Sequence, residues 1–286
     1  MALAVIAVLV AMFVNMLLTN DAFGWSFMFD NMFNPPVLEG ARTSILLTIE
    51  SMVLGVLLGI VLAVMRLSPN PIISGIAWVY TWFFRAVPRI VLAILFGNLL
   101  ILYQRFEVGL PFDEQLFGID AKLWGIDAKT LLTAYVAGLL TLTLSEAAYM
   151  AEIVRAGILA VDAGQSEAAH ALGMSRGLTT RKVVLPQAMR VIVPPTGNET
   201  IAMLKDTAIV AFIPVTNELF FQLRAVGTRT FRVFPMLVAA CLWYVALTSV
   251  LLVGQHFLEK RFSRGVAGIT PRGRKIVFPI GGQGGK

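Results

Sequence analysis

The sequence has very few of the residues that form disulfides and metal sites. It contains 1 cysteine and 2 histidines in 286 residues. Cys241 has no partner for an internal disulfide, and His170 and His256 are far apart without a ligand-like spacing. We therefore expect no disulfide and no metal site, and the scattered histidines argue against a membrane-embedded enzyme.

Charged residues are also scarce. They make up 14% of the chain, against about 25% in a typical soluble domain. Hydrophobic residues make up 57%, which is more apolar surface than one soluble core can bury. This composition excludes an ordinary soluble protein and a disordered chain. The net charge of +6 fits the basic loops of a membrane protein rather than a nucleic-acid-binding surface.

Long apolar runs are present instead, and about 20 such residues cross a bilayer. Taken together, the turn after the second run, the stretch after the fourth run and the tail hold more Lys and Arg than the loops on the other side, which places these segments and the C-terminus in the cytoplasm. We predict an all-α polytopic membrane protein with about six transmembrane helices. The candidate spans are Met1–Leu18, Thr43–Met65, Ala86–Tyr103, Thr130–Ala151, Val191–Ala211 and Val233–Gly254.

The stretch between the fourth and fifth spans is less hydrophobic than its flanks and reads as short helices. Ser166 is predicted to cap a helix over Glu167–Leu172, and Gly173 to end it in the left-handed conformation. One side of this helix is small and apolar, which suits a groove on a partner protein.

A spaced motif occupies this stretch. Glu167-Ala168-Ala169 is followed after three residues by Gly173, and after nine more by Val183-Val184-Leu185-Pro186. The pattern resembles the EAA motif of binding-protein-dependent ABC importer permeases, with only Val183 departing from it. The resemblance implies coupling helices that dock on an ATPase. The docking residues it implies are Glu167, Ala168, Ala169, Gly173, Leu185 and Pro186.

Other segments resemble the polar amino acid permeases of this group, which carry histidine, glutamine, glutamate or arginine. Residues 148–158 match the segment before the EAA motif, and residues 197–209 match a second signature. Residues 84–92 match more loosely, with Arg89 in place of an apolar residue. The resemblance implies uptake of a polar amino acid by alternating access and leaves the amino acid open. The alternatives are an importer of another small polar solute and a transporter that works without ATP.

Polar and ionisable residues within the spans are candidates for the solute path. Because charges are costly inside a membrane, such residues pair with one another or contact a solute. Pro194, Pro195 and Gly197 interrupt the fifth span, and both readings, a plain kinked helix and a break lining the path, stay open. The candidates are Asn198, Glu199, Lys205, Asp206, Glu50 and Glu146. A structural network between helices is the alternative role for these residues.

The resemblance also implies an assembly in a bacterial cytoplasmic (inner) membrane. It comprises two ATPase subunits, a second permease subunit, identical or related, and an extracytoplasmic amino-acid-binding protein, with no nucleic acid. We expect no cofactor in this chain, since ATP and Mg would be bound by the ATPase. We divide the chain into an extra N-terminal helix with its outer loop (1–38), a permease domain (39–262) with a coupling loop at about 157–190, and a flexible basic tail (263–286).

Overall fold

The computed structural model describes residues 1–99, 105–109, 122–213 and 215–262, and these form a helical protein. Its α-helices are α1 (Ala2–Thr19), α2 (Trp25–Asn31), α3 (Pro35–Arg66), α4 (Pro71–Ala86), α5 (Arg89–Gly97), α6 (Ala128–Leu131), α7 (Ala134–Leu159), α8 (Ala163–Ala171), α9 (Arg176–Thr179), α10 (Leu185–Asp206), α11 (Leu219–Arg229) and α12 (Val233–Phe262). Short 3-10 helices cover Asp21–Phe23 and Thr207–Phe212, and a π-helical turn covers Thr180–Val184.

The described helices confirm the predicted class of helical membrane protein. Four of them, α1, α3, α7 and α12, are long and apolar enough to cross a membrane, and the pair α4 and α5 adds a fifth span if it is counted as one. Helix α10 matches the remaining predicted span but is more polar. The predicted tail, 263–286, lies outside the described residues, and the domain boundaries stay a prediction.

The predicted span Ala86–Tyr103 is wrong as a single helix. Helices α4 and α5 meet at an angle of 98° across Val87 and Pro88. Pro88 has no N–H to donate and disfavours a helical conformation at the preceding residue, and Val87 is accordingly extended (φ −87, ψ 129). The apolar segment therefore begins at Pro71 and turns sharply before α5; residues 100–103 lie outside the described part.

The two prolines in the fifth predicted span do not end its α-helix. Helix α10 runs through Pro194 and Pro195, and Gln255 of α12 donates from Nε2 to the carbonyl of Pro194 at 2.8 Å. Gly197 makes this contact feasible, because the Gln255 side chain occupies the space that any Cβ at Gly197 would need. The chain then continues into the 3-10 helix at Thr207.

Helices α3 and α7 pack side by side and run in the same direction at the centre of the fold. A Cβ on Gly55 would lie 2.9 Å from Glu146 Cβ, and one on Gly59 would lie 2.6 Å from Met150 Cβ. Glycine at both positions therefore allows the two backbones to approach closely, as small residues do between membrane helices.

The N-terminal elements lie at the periphery. Every residue of α1 is exposed except Leu17, which is half-buried and accepts a hydrogen bond at its carbonyl from Trp25 Nε1 (2.8 Å). Helix α2 packs on α12, where Met28 and Met32 are buried with Met236.

A small antiparallel sheet, β1 (Arg105–Gly109) with β2 (Lys122–Asp127), lies between α5 and α6. These strands were not predicted from the sequence.

Candidate solute path and docking loop

Three helices bring oppositely charged side chains together. The Arg89 guanidinium, at the start of α5, donates from Nη2 to Glu146 Oε2 of α7 at 3.0 Å and from Nη1 to Asp206 Oδ2 of α10. The Tyr149 ring lies beneath the same guanidinium, with 5.0 Å between Cζ and the ring centroid. We call these residues, Arg89, Glu146, Asp206 and Tyr149, the ion cluster.

The ion cluster lies at mid-height in the fold. Glu146 is twelve residues from the start of α7 and thirteen from its end, which is about 18–20 Å from either end at about 1.5 Å per residue. The Glu146 side chain is fully buried, the Arg89 side chain is 13% exposed and that of Asp206 is 32% exposed. Charged groups at this depth must be paired, and Arg89 pairs with both carboxylates.

Carboxyl groups outnumber cationic groups in the ion cluster. Glu146 Oε1 is buried and has no hydrogen-bond partner among the described residues. Glu199 of α10 lies within electrostatic range of Glu146 and adds a third carboxylate against one guanidinium. Lys205 is exposed and forms no ion pair within 4.0 Å in the described part of the chain. The arrangement therefore retains acceptor capacity for a further cation.

The predicted path residues divide into three groups. Glu146 and Asp206 share the ion cluster, and Glu199 lies close to it. Glu50 lies apart and accepts a hydrogen bond from Tyr135 OH at 2.7 Å, which joins α3 to α7. Asn198 and Lys205 are exposed on α10.

Two charged residues of the interior were missed as site candidates. Arg89 had one signal, its departure from the apolar residue expected there. Glu218, fully buried at the start of α11, had none. Its carboxylate accepts hydrogen bonds from Ser44 Oγ (2.9 Å), Tyr244 OH (2.9 Å) and the Phe221 N–H (3.0 Å). Glu218 thus joins α3, α11 and α12 and has the contacts of a structural residue.

The loop that carries the spaced motif is exposed. Asp162, not Ser166, caps α8, by accepting from the Gly164 N–H at 2.7 Å; Ser166 lies inside the helix. The prediction for Gly173 is confirmed, since its φ is +80. Leu172 is 84% exposed at the end of the helix.

The six predicted docking residues lie close to this surface. Ala169 is buried and fixes α8 to the rest of the loop, while the other five are exposed: Glu167, Ala168, Gly173, Leu185 and Pro186.

An ion network lies just before this loop. Glu152 accepts from Arg155 Nε (3.0 Å) and Nη2 (2.7 Å), and its other oxygen pairs with Arg66 Nη2 at 3.5 Å. The network joins the last turn of α3 to α7, so the loop that carries the spaced motif follows a part of α7 that is fixed to α3.

This combination defines a class of protein. Several apolar spans, a charged cluster inside them and an exposed helical loop at one end belong to a polytopic membrane transport subunit.

Among the described residues, no group of three or more His, Cys, Asp or Glu side chains could hold a metal ion.

Comparison with known proteins identifies the family. Residues 55–264 match the family described as "Binding-protein-dependent transport system inner membrane component". The chain is 45% identical over 264 residues to the arginine transport system permease protein ArgU of Corynebacterium glutamicum, covering 92% of this chain and 80% of that protein. It is 33% identical over 227 residues to the arginine transport system permease protein ArtQ of Bacillus subtilis, covering 79% and 92%.

A solved structure agrees. A crystal structure of an amino acid ABC transporter with histidines matches with a TM-score of 0.67 and 32% identity, covering 83% of this chain and 98% of that one. The chain belongs to the family of binding-protein-dependent ABC importer permeases, as the spaced motif predicted. A permease of this family works with an ATPase and a solute-binding protein.

Proposed function

We propose that this permease carries a cationic amino acid, with arginine as the first candidate, through a path that passes the ion cluster. The observation that carries the proposal is the excess of carboxyl groups at mid-span, including Glu146 Oε1, which has no hydrogen-bond partner among the described residues. A guanidinium or ammonium group supplies the missing positive charge and donors. Two relatives named as arginine permeases support the same solute class.

The residues of the path have three different roles in this proposal. Glu146, Asp206 and Glu199 contact the solute or its hydration shell as it passes. Asn198 and Lys205, exposed on the same helix, line the entry to this region. Glu50, bonded to Tyr135, orients the wall formed by α3 and α7.

Coupling to ATP occurs through the exposed loop. Glu167, Ala168, Gly173, Leu185 and Pro186 form the surface that meets the ATPase, Ala169 holds α8 in place, and the exposed Leu172 enters an apolar groove on the partner. The assembly contains two ATPase subunits, which bind ATP and Mg, a second permease subunit and an extracytoplasmic binding protein. The loop and the C-terminus face the cytoplasm.

Uptake by the reconstituted assembly tests the proposal. The permease, its ATPase and its binding protein are placed in proteoliposomes, and uptake of labelled arginine, histidine, glutamine and glutamate is measured with and without ATP. We expect ATP-dependent uptake of arginine in preference to glutamine and glutamate. Preference for glutamate would contradict the solute class, and uptake at the same rate without ATP would contradict the coupling.

A further inference from the structure

Arg89 occupies an unfavourable place for a positive charge. It is the first residue of α5, directly after the 98° bend. The free N–H groups at a helix N-terminus carry partial positive charge, so a cation there is repelled by its own helix. The stability of α5 therefore does not explain the arginine, and the explanation must come from what its side chain contacts.

The Arg89 side chain makes the contacts that a bound arginine side chain would make. One nitrogen of the guanidinium bonds to Glu146 of α7, another bonds to Asp206 of α10, and the plane lies over the Tyr149 ring. A planar fork between two carboxylates, with an aromatic face beneath it, is a preferred environment of the guanidinium group. The ion cluster thus already holds a group identical to the side chain of the proposed solute.

The ion cluster is accessible to an incoming cation at Asp206. The Asp206 side chain is 32% exposed and that of Arg89 is 13% exposed, so the ion pair has an accessible edge. Glu146 Oε1 is still without a hydrogen-bond partner among the described residues. An incoming cation can therefore bind one acceptor before Arg89 has left the others, and no fully unpaired buried charge is formed during the exchange.

We propose that Arg89 is a tethered substitute for the solute. In the solute-free permease it neutralises Glu146 and Asp206; a cationic amino acid takes its place and releases the start of α5. The inference rests on the proposed function, since it requires that the path passes the ion cluster. Arg89 then determines specificity, because an anionic solute cannot replace it. It also keeps the path closed when no solute is bound.

The first test compares R89A with R85A in the reconstituted transporter. Arg85 is a matched control, because it is exposed, lies near the same Tyr149 ring (5.6 Å) and undergoes the same change. If Arg89 occupies the carboxylates nine-tenths of the time, its removal lowers the KM for arginine uptake about tenfold. ATP hydrolysis without solute should rise in R89A, while R85A should keep both values within about twofold of the wild type.

Methylguanidinium separates this role from a structural one. In R89A it should occupy the vacated position, lower the solute-free ATP hydrolysis and compete with arginine, so that the KM rises while kcat stays constant. A residue that only joins three helices would give the opposite pattern, in which methylguanidinium raises kcat and leaves the KM unchanged. That pattern would overturn the inference.

R89K is a second variant for the test if the R89A permease does not assemble with its partners. Lysine keeps the charge but cannot bridge both carboxylates, so we expect a smaller fall in KM and the same competition by methylguanidinium. An unchanged KM without competition would overturn the inference. The two proposals fail in different ways. Transport of glutamate instead of arginine by the wild type overturns the proposed function. Transport of arginine by the wild type, with no competition by methylguanidinium in the Arg89 variants, overturns the role of Arg89 alone.

Discussion

Single glycines determine how closely the central helices approach. Gly55 and Gly59 face α7, and at both positions the neighbouring backbone or Cβ occupies the space of a side chain. Gly75 of α4 differs, because a Cβ there would meet nothing within 4 Å. The chain therefore offers two helical glycines with opposite packing requirements.

We expect opposite effects of G59A and G75A on stability. G59A forces α3 away from Met150 and costs about 1–3 kcal/mol, as overpacked positions do. G75A adds a better helix former in open space and should be neutral or stabilise by about 0.5–1 kcal/mol. Thermal unfolding of the purified permease in detergent measures both. Equal stability of the two variants would mean that α3 and α7 are not in the close contact described.

The ion cluster shows which residue-level features a sequence conceals. Glu146 and Asp206 were predicted as intramembrane acids because a charge in an apolar run is visible in the sequence. Their shared partner was not, since Arg89 is 57 positions from Glu146 and 117 from Asp206. Such contacts depend on how three helices pack, and hydropathy carries no information about that packing.

At the scale of elements, α8 is a short helix held by a few fixed points. Asp162 caps its start, Gly173 ends it with a positive φ, and the buried Ala169 attaches it to the loop. Glu167 contributes to none of these, so its side chain is available to a partner. Gln165 is exposed on the same helix outside the motif and provides a control.

We expect E167K to weaken the complex with the ATPase. A reversed charge at the docking surface should reduce ATPase copurification at least tenfold, or about 1.4 kcal/mol, and abolish uptake, while the permease still inserts. Q165K should retain both. Copurification and uptake of the two variants are measured side by side. Normal uptake by E167K would contradict the docking assignment.

The elements themselves could be predicted to different extents. Hydropathy predicted the spans, and the spaced motif predicted the family, while the docking role of the loop stays a prediction. The bend before α5 was missed because the apolar run continues across Pro88, so composition alone does not reveal the change of direction. The strands of the outer loop were missed because β1 and β2 gain their order from pairing with each other across a gap in the sequence.

At the scale of the whole molecule, α1 lies outside the packed core of the described residues. All of its residues except Leu17 are exposed, and most are apolar, with a mean hydropathy of 2.6, so a lipid environment suits them. Its attachment includes the hydrogen bond from Trp25 to the Leu17 carbonyl. The packing of α3, α7, α10 and α12 does not depend on it.

Removal of residues 1–19 should leave the transporter working. We expect the unfolding free energy to fall by about 1 kcal/mol or less, the value of one hydrogen bond, and uptake to stay within about twofold. The new N-terminus should lie on the opposite side of the membrane, because one span fewer precedes α3. Protease or thiol accessibility of a terminal tag measures this. A reversed orientation of α8 would contradict the independence of the core.

Helix α10 begins at the proposed docking surface and ends at Asp206, about 33 Å away at about 1.5 Å per residue. In the proposed coupling, the energy of nucleotide hydrolysis would reach the carboxylates through one continuous helix and would need no relay of side chains. Helix α10 should bend most easily at Pro194 and Pro195, and the hydrogen bond from Gln255 to the Pro194 carbonyl supports it there. Hydrolysis of ATP without transport of solute should therefore depend on the contact between α12 and α10, which is far from both the nucleotide and the solute.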